Sequence, residues 1–273
     1  MTRASAGGSP SLALEHERPA ERAAPLERGM AVGFLAMSPL IAAYEASIAQ
    51  GTPIRNSAQV LLSLPLAPLG ELADPARRCA LALCFLWAAW SSFHAELGLV
   101  RRVWRVILEG ALFAAVIGPL LVLLLKALDV AGVAPALSTP PQSAPRIAAA
   151  ALVCGGAAYE EIVFRVGIQS LFYLLARRVL ERLAAPRAVA SVASELGAIA
   201  ASAAVFAAMH LALFTAPLGP GGEAFDGAIF TWRVLSGILL SGIFRWRGPG
   251  VAAWTHALFN LALFLGAGPS CFL

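Results

Sequence analysis

The sequence has 273 residues, of which 59% are hydrophobic and only 13% charged, about half the charged share of an ordinary soluble domain. With a mean hydropathy of +0.76 and several apolar runs approaching 20 residues, this excludes a water-soluble globule and an intrinsically disordered chain and describes a polytopic membrane protein. The net charge of +4 is spread along the chain, so there is no basic stripe for nucleic acid.

Residues 1–29 are polar and rich in Pro, Ala, Glu and Arg (Glu15, Glu17, Arg18, Glu21, Arg22, Glu27, Arg28). They lack the apolar stretch of a cleaved signal peptide and read as a flexible tail. Apolar segments follow at 30–49, 79–97, 106–128, 147–176, 196–216, 228–244 and 250–267, with ends good to about 2–4 residues. The expected fold is therefore all-α, a transmembrane bundle of about seven spans (six to eight). Residues 30–145 would supply accessory spans.

The connections alternate in basic content. The tail, Arg101/Arg102/Arg105, Arg177/Arg178/Arg182/Arg187 and Arg245/Arg247 fall on one side, while 129–145 and 217–227 carry no Lys or Arg. The positive-inside bias puts the basic side in the cytoplasm, with the N-terminus inside, the C-terminus outside, and the whole in the cell (inner) membrane. Arg77 and Arg78, at the outer end of the second span, are the exception. All but one of the 20 basic residues are Arg, Lys126 being the other, a composition suggesting a GC-rich bacterial genome. Cys79, Cys84, Cys154 and Cys271 form no CxxC pair, and the first three sit in apolar runs where a small buried hydrophobe is the default. Glu45, Glu96, Glu109 and His94 lie near span ends and read as interfacial. Trp87, Trp90, Trp104, Trp232, Trp246 and Trp254 mostly do so too, as interface anchors.

An acid or Arg at the centre of a spanning helix costs about 2.5–3.5 kcal/mol, so charge left there points to function. The fourth segment carries Tyr159-Glu160-Glu161-Ile162-Val163-Phe164-Arg165, with Glu160 about 20 Å from the Arg146 end. Glu161 and Arg165 are four apart and can pair on one face, while Glu160 points about 100° away. The fifth segment offers Phe206 and His210, and the last His256 and Asn260, again four apart. Straight helices from these boundaries leave His256 about 10 Å nearer the cytoplasm than His210. A tilt, or a deeper start at Gly248-Pro249-Gly250, would close that gap; a separation above about 12 Å would break a single site.

A carboxylate in a membrane interior suits a general base that takes a proton from water, and a nearby His can orient that water or shuttle the proton. His and Asn N–H groups on one face can stabilise the oxyanion of a tetrahedral intermediate. Such a set describes a water-activating amide hydrolase. Zinc helices of HExxH type are absent, since His16-Glu17 lies in the tail without a second His. Asp74, Asp129 and Asp226 all lie in connections, so there is no intramembrane aspartate pair, and Ser236 and Ser241 read as packing residues among glycines.

The run Glu160-Glu161-x-x-x-Arg165, Phe206-x-x-x-His210 and His256-x-x-x-Asn260 resembles, in order and without departure, the EExxxR, FxxxH and HxxxN motifs of the CPBP intramembrane proteases, also called the CAAX protease and bacteriocin-processing or Abi family. The resemblance covers residues 146–268, a CAAX-protease-like catalytic core. It implies an intramembrane endopeptidase cutting near the C-terminus or within the membrane segment of a protein substrate. Glu160 and His210 would activate water, His256 and Asn260 would form the oxyanion site, and Glu161 and Arg165 would position the first carboxylate. No cofactor is expected. The alternative within the family is a zinc peptidase using Glu160, His210 and His256 as ligands.

Implied partners are the lipid bilayer and a membrane-associated protein or peptide, with a myxosortase-like removal of C-terminal sorting signals as one role open to a bacterial relative. A proton-coupled carrier is the reading from another class, but it predicts an internal repeat that the sequence lacks. A catalytically idle immunity or scaffolding relative is the third.

Overall fold

A computed structural model describes residues 19–51, 55–93, 98–128, 146–218 and 222–266. The expectations for residues 1–18 of the tail, the whole 129–145 connection, His94, Glu96, Asp129 and Cys271 lie outside the described residues. Among those described, the chain is all-α, as its apolar runs of about 20 residues suit. In order it forms α1 (Pro19–Ala49), α2 (Ser57–Ser63), a 3-10 stretch (Leu64–Leu72), α3 (Ala73–Phe93), α4 (Leu99–Ala127), α5 (Arg146–Glu160), a π-helical turn pair (Glu161–Gln169), α6 (Ser170–Arg182), α7 (Arg187–Ala208), α8 (Ala212–Thr215), α9 (Gly227–Arg247) and α10 (Pro249–Phe264).

Five helices are long and apolar enough to cross a membrane: 29–49, 99–127, the continuous 37-residue rod 146–182, 187–208 and 227–247. The other two expected spans correspond to α3, which carries Asp74, Arg77 and Arg78 at one end, and to α10. With 16 residues, α10 is about 24 Å long, short of a hydrocarbon core of about 30 Å.

Several boundaries differ from the sequence reading. The supposed tail is helical from Pro19 onward, because its Ala, Glu and Arg are good helix formers and Pro suits the first turn. Helices α3, α4 and α7 begin six to nine residues before the expected points. An apolar window stops at the first charge, whereas backbone hydrogen bonding runs on through Arg101, Arg102, Arg105 and Arg187. The fifth span was expected to reach residue 216, but α7 ends at Ala208. There the chain turns, and the Glu223 N–H donates to the His210 carbonyl while the Ala212 N–H donates to the Glu223 carbonyl.

Lipid-facing surface is plain on α4, where Val100, Trp104, Leu108, Leu112 and Val116 recur at every fourth position with 58–70% exposure. Cys79 and Cys84 are exposed rather than buried, and Cys154 is half-buried; in lipid an apolar thiol loses nothing by facing outward. Trp232, expected at an interface, is instead buried and stacks on Phe259. The Trp254 Nε1–H donates to the Ala36 carbonyl.

The largest core cluster joins α1 (Met37, Leu40, Ile41, Tyr44), α5 (Leu152, Ala157, Ala158, Tyr159), the π segment (Val163, Phe164), Phe206 of α7 and Ala253 and Ala257 of α10. Small residues set the helix approaches, as van der Waals packing in lipid favours. A Cβ on Gly155 would collide with Tyr44 and the Leu40 carbonyl, and one on Gly250 would lie 2.5 Å from the Gly33 carbonyl oxygen. Between α9 and α10 the chain reverses at Gly248, whose φ of 89° favours glycine.

Candidate functional site

That reversal decides the depth of the last helix. Arg247 donates to Glu109, ten residues into α4, and Arg245 pairs with Glu195, eight residues into α7. The turn thus lies roughly 12–15 Å inside the ends of those helices. This is the deeper start that the His256 depth required. Both imidazoles now pack against one ring: His210 lies 4.9 Å and His256 5.8 Å from Phe206, centroid to centroid. Their separation is bounded at about 11 Å through the Phe206 ring that both touch.

Glu160 closes α5 and Glu161 opens the π segment. Glu161 is fully buried and Glu160 nearly so. The wide turn was not expected from an α-helical reading, and π turns of this kind recur at functional sites. Two hydroxyls bond into it: Ser202 of α7 donates to the Phe164 carbonyl at 2.7 Å and Ser170 to the Arg165 carbonyl at 3.3 Å. Side-chain donors of this sort favour a locally altered helical ladder. The i,i+4 pairing of Glu161 and Arg165 survives it, with Oε2 and Nε 3.4 Å apart and both side chains fully buried. The Arg165 guanidinium lies 4.5 Å over the Phe206 ring, and its Nη2 reaches the Gly237 carbonyl at 3.5 Å.

His256 stands between the two carboxylates. Its Nδ1 is 2.8 Å from Glu161 Oε1 and its Nε2 3.6 Å from Glu160 Oε2. Since a carboxylate accepts, Nδ1 carries the proton of that bond. His210 Nδ1 is likewise spent on the Phe206 carbonyl at 2.8 Å, which leaves its Nε2 free to accept or donate. His256, His210 and Arg165 are all near enough for their charges to act on Glu160. Asn260 lies one turn beyond His256 and is half-buried. The six polar residues of the three motifs and Phe206 are thus carried on α5, the π segment, α7 with the turn that follows it, and α10, Asn260 joining them through its place on α10 alone.

The sequence reading missed a second tier. Asn56, the cap of α2, donates from Nδ2 to Glu160 Oε1 at 2.7 Å. Beside it, Tyr159 donates to Glu45, and Arg77 donates to both Glu45 and the Tyr159 hydroxyl. Glu45 is therefore no interfacial acid but the centre of an ion cluster that Arg78 completes. Arg77 is only 3% exposed, which explains why it violates the charge alternation: it is consumed inside the protein. Arg233 pairs with Glu223 at 2.5 Å, and the charges of both act on His210. A polar cap before an apolar run, Asn56-Ser57, was the only visible signal for Asn56, and a cap alone names no partner. Ser236 bonds back to the Trp232 carbonyl and Gly237 lies against Ala203, as packing residues do.

Among the described residues no three His, Cys, Asp or Glu side chains are arranged to hold a metal ion. Neither the curated proteins nor the solved structures give a match to the chain. Residues 142–262, the segment that carries Glu160, His210 and His256, match the family model described as type II CAAX prenyl endopeptidase Rce1-like.

Proposed function

We propose that the chain is an intramembrane endopeptidase that hydrolyses a peptide bond near the C-terminus or within the membrane segment of a protein substrate, without a metal. The observation that carries this reading is the setting of Glu160: one oxygen is pinned by Asn56 while the other faces His256, with His210 against the same Phe206 ring that His256 touches. Glu160 accepts a proton from water as the water oxygen attacks the carbonyl carbon, and His210 Nε2 orients that water. The carbonyl π electrons move to the oxygen, where the Asn260 amide and His256 Nε2–H receive the negative charge. With Nδ1–H given to Glu161, donation by His256 requires a proton on each ring nitrogen. When the C–N bond breaks, the proton held by Glu160 passes to the leaving amine, so protons and electron pairs balance.

Residues 146–268 form the catalytic core in this reading, and 30–145 the accessory helices. The layer holding Arg105, Arg245 and Arg247 with Glu109 and Glu195 supports a cytoplasmic basic face, the N-terminus inside a bacterial inner membrane and the C-terminus outside. The substrate is a membrane-anchored tail, either lipidated or a C-terminal sorting signal of the myxosortase kind. The test compares processing of such tails in membranes by the wild type and Glu160→Ala, with and without a chelator. Loss of cleavage in the variant and indifference to the chelator are expected. Unchanged cleavage by the variant would refute the mechanism, and chelator sensitivity would move it to the zinc alternative.

A further inference from the structure

We propose that Asn56 is a positioning residue for Glu160, so that the helices preceding the matched family segment complete the active carboxylate. The proposal rests on the hydrolytic reading of Glu160. All four polar groups of Asn56 are committed, its backbone carbonyl accepting the Val60 N–H at 3.0 Å. Its Oδ1 accepts the Ala58 N–H at 2.8 Å, its own N–H donates to the Tyr44 hydroxyl at 2.8 Å, and its Nδ2 donates to Glu160 Oε1 at 2.7 Å. The cap bond fixes which end of the amide is oxygen, so the group facing Glu160 is a donor. Tyr44 is itself 1% exposed and lies 5.1 Å, ring to ring, from Tyr159.

The space for this amide is made by the sequence of α5. Gly156 lies one turn before Glu160, and a Cβ there would come within 2.9 Å of Asn56 Nδ2. With Oε1 held, the Glu160 carboxyl cannot rotate, and Oε2 is the oxygen presented toward His256 and an attacking water. Residue 56 lies outside the match at 142–262, which is why a motif-based reading passes over it.

Asn56→Thr and Asn56→Ser both keep a side-chain cap for α2, but neither places an N–H donor on Glu160. Cleavage of a membrane-anchored tail by full-length protein in proteoliposomes would be measured beside thermal melting of each variant, with Glu160→Ala in the same series. Both Asn56 variants are expected to melt within a few degrees of the wild type, with kcat lowered about 10- to 100-fold, the range for a hydrogen bond to a charged group, and KM within about twofold. Wild-type kcat in both variants, beside an inactive Glu160→Ala, overturns this proposal alone. A rate loss that merely tracks lost folded protein overturns it too. An active Glu160→Ala overturns the hydrolytic reading and the proposal with it.

Discussion

Gly250→Ala tests whether the α1–α10 crossing sets the site. The added Cβ would lie 2.5 Å from the Gly33 carbonyl oxygen, 2.7 Å from Gly33 Cα and 2.8 Å from Val106 Cγ1. Two of these are backbone atoms and cannot swing away. Restoring ordinary contact moves α10 by about 0.9 Å, since a close-packed interior has no slack to absorb it. His256 follows six residues later on the same helix, about 9 Å along the axis, and shifts with it. Its 2.8 Å bond to Glu161 would stretch by at most that amount, to about 3.7 Å, and any component of the shift along the bond weakens it. Overpacking of this kind costs about 1–3 kcal/mol, and an ångström of misplacement costs about 10²-fold in rate. Cleavage of a membrane-anchored tail and detergent melting curves would be read together. A variant with wild-type rate and unchanged melting would refute the argument. Gly242→Ala is the matched control: a Cβ there meets nothing within 4 Å, so full activity and up to about 1 kcal/mol of added helix stability are expected.

Three further outcomes follow from buried partners. Arg165→Met strips the cation from Glu161 in a fully buried pair, and should cost about 3–5 kcal/mol in unfolding experiments; Arg165→Lys should restore little, because the planar group over Phe206 is lost. Glu45→Gln leaves Arg77 buried beside Tyr159 with a weakened partner, and a similar loss of about 3–5 kcal/mol is expected, with slower cleavage because Tyr159 adjoins Glu160; a stable, fully active variant would contradict the tethering role. Ser202→Ala removes the donor to the Phe164 carbonyl in the π segment, worth about 1–3 kcal/mol if the carbonyl stays unpaired, measured by denaturation.

The sequence by itself determined that lipid is the solvent, that the chain is helical, and where charge is anomalous. Those follow from composition and local periodicity, and Glu160, Glu161 and Arg165 stand out because nothing apolar explains them. It also paired Glu161 with Arg165, since four-residue spacing is a local property. Tertiary structure decided the rest. The common depth of His210 and His256 depends on ion pairs from Arg245 and Arg247 to helices far away in sequence. The π turn depends on hydroxyls donated partly from α7. Asn56 and Glu45 reach the site across 104 and 114 residues, ending on Glu160 and on its neighbour Tyr159. No window along the chain contains both ends of such contacts, so only packing could bring the N-terminal helices to the carboxylate.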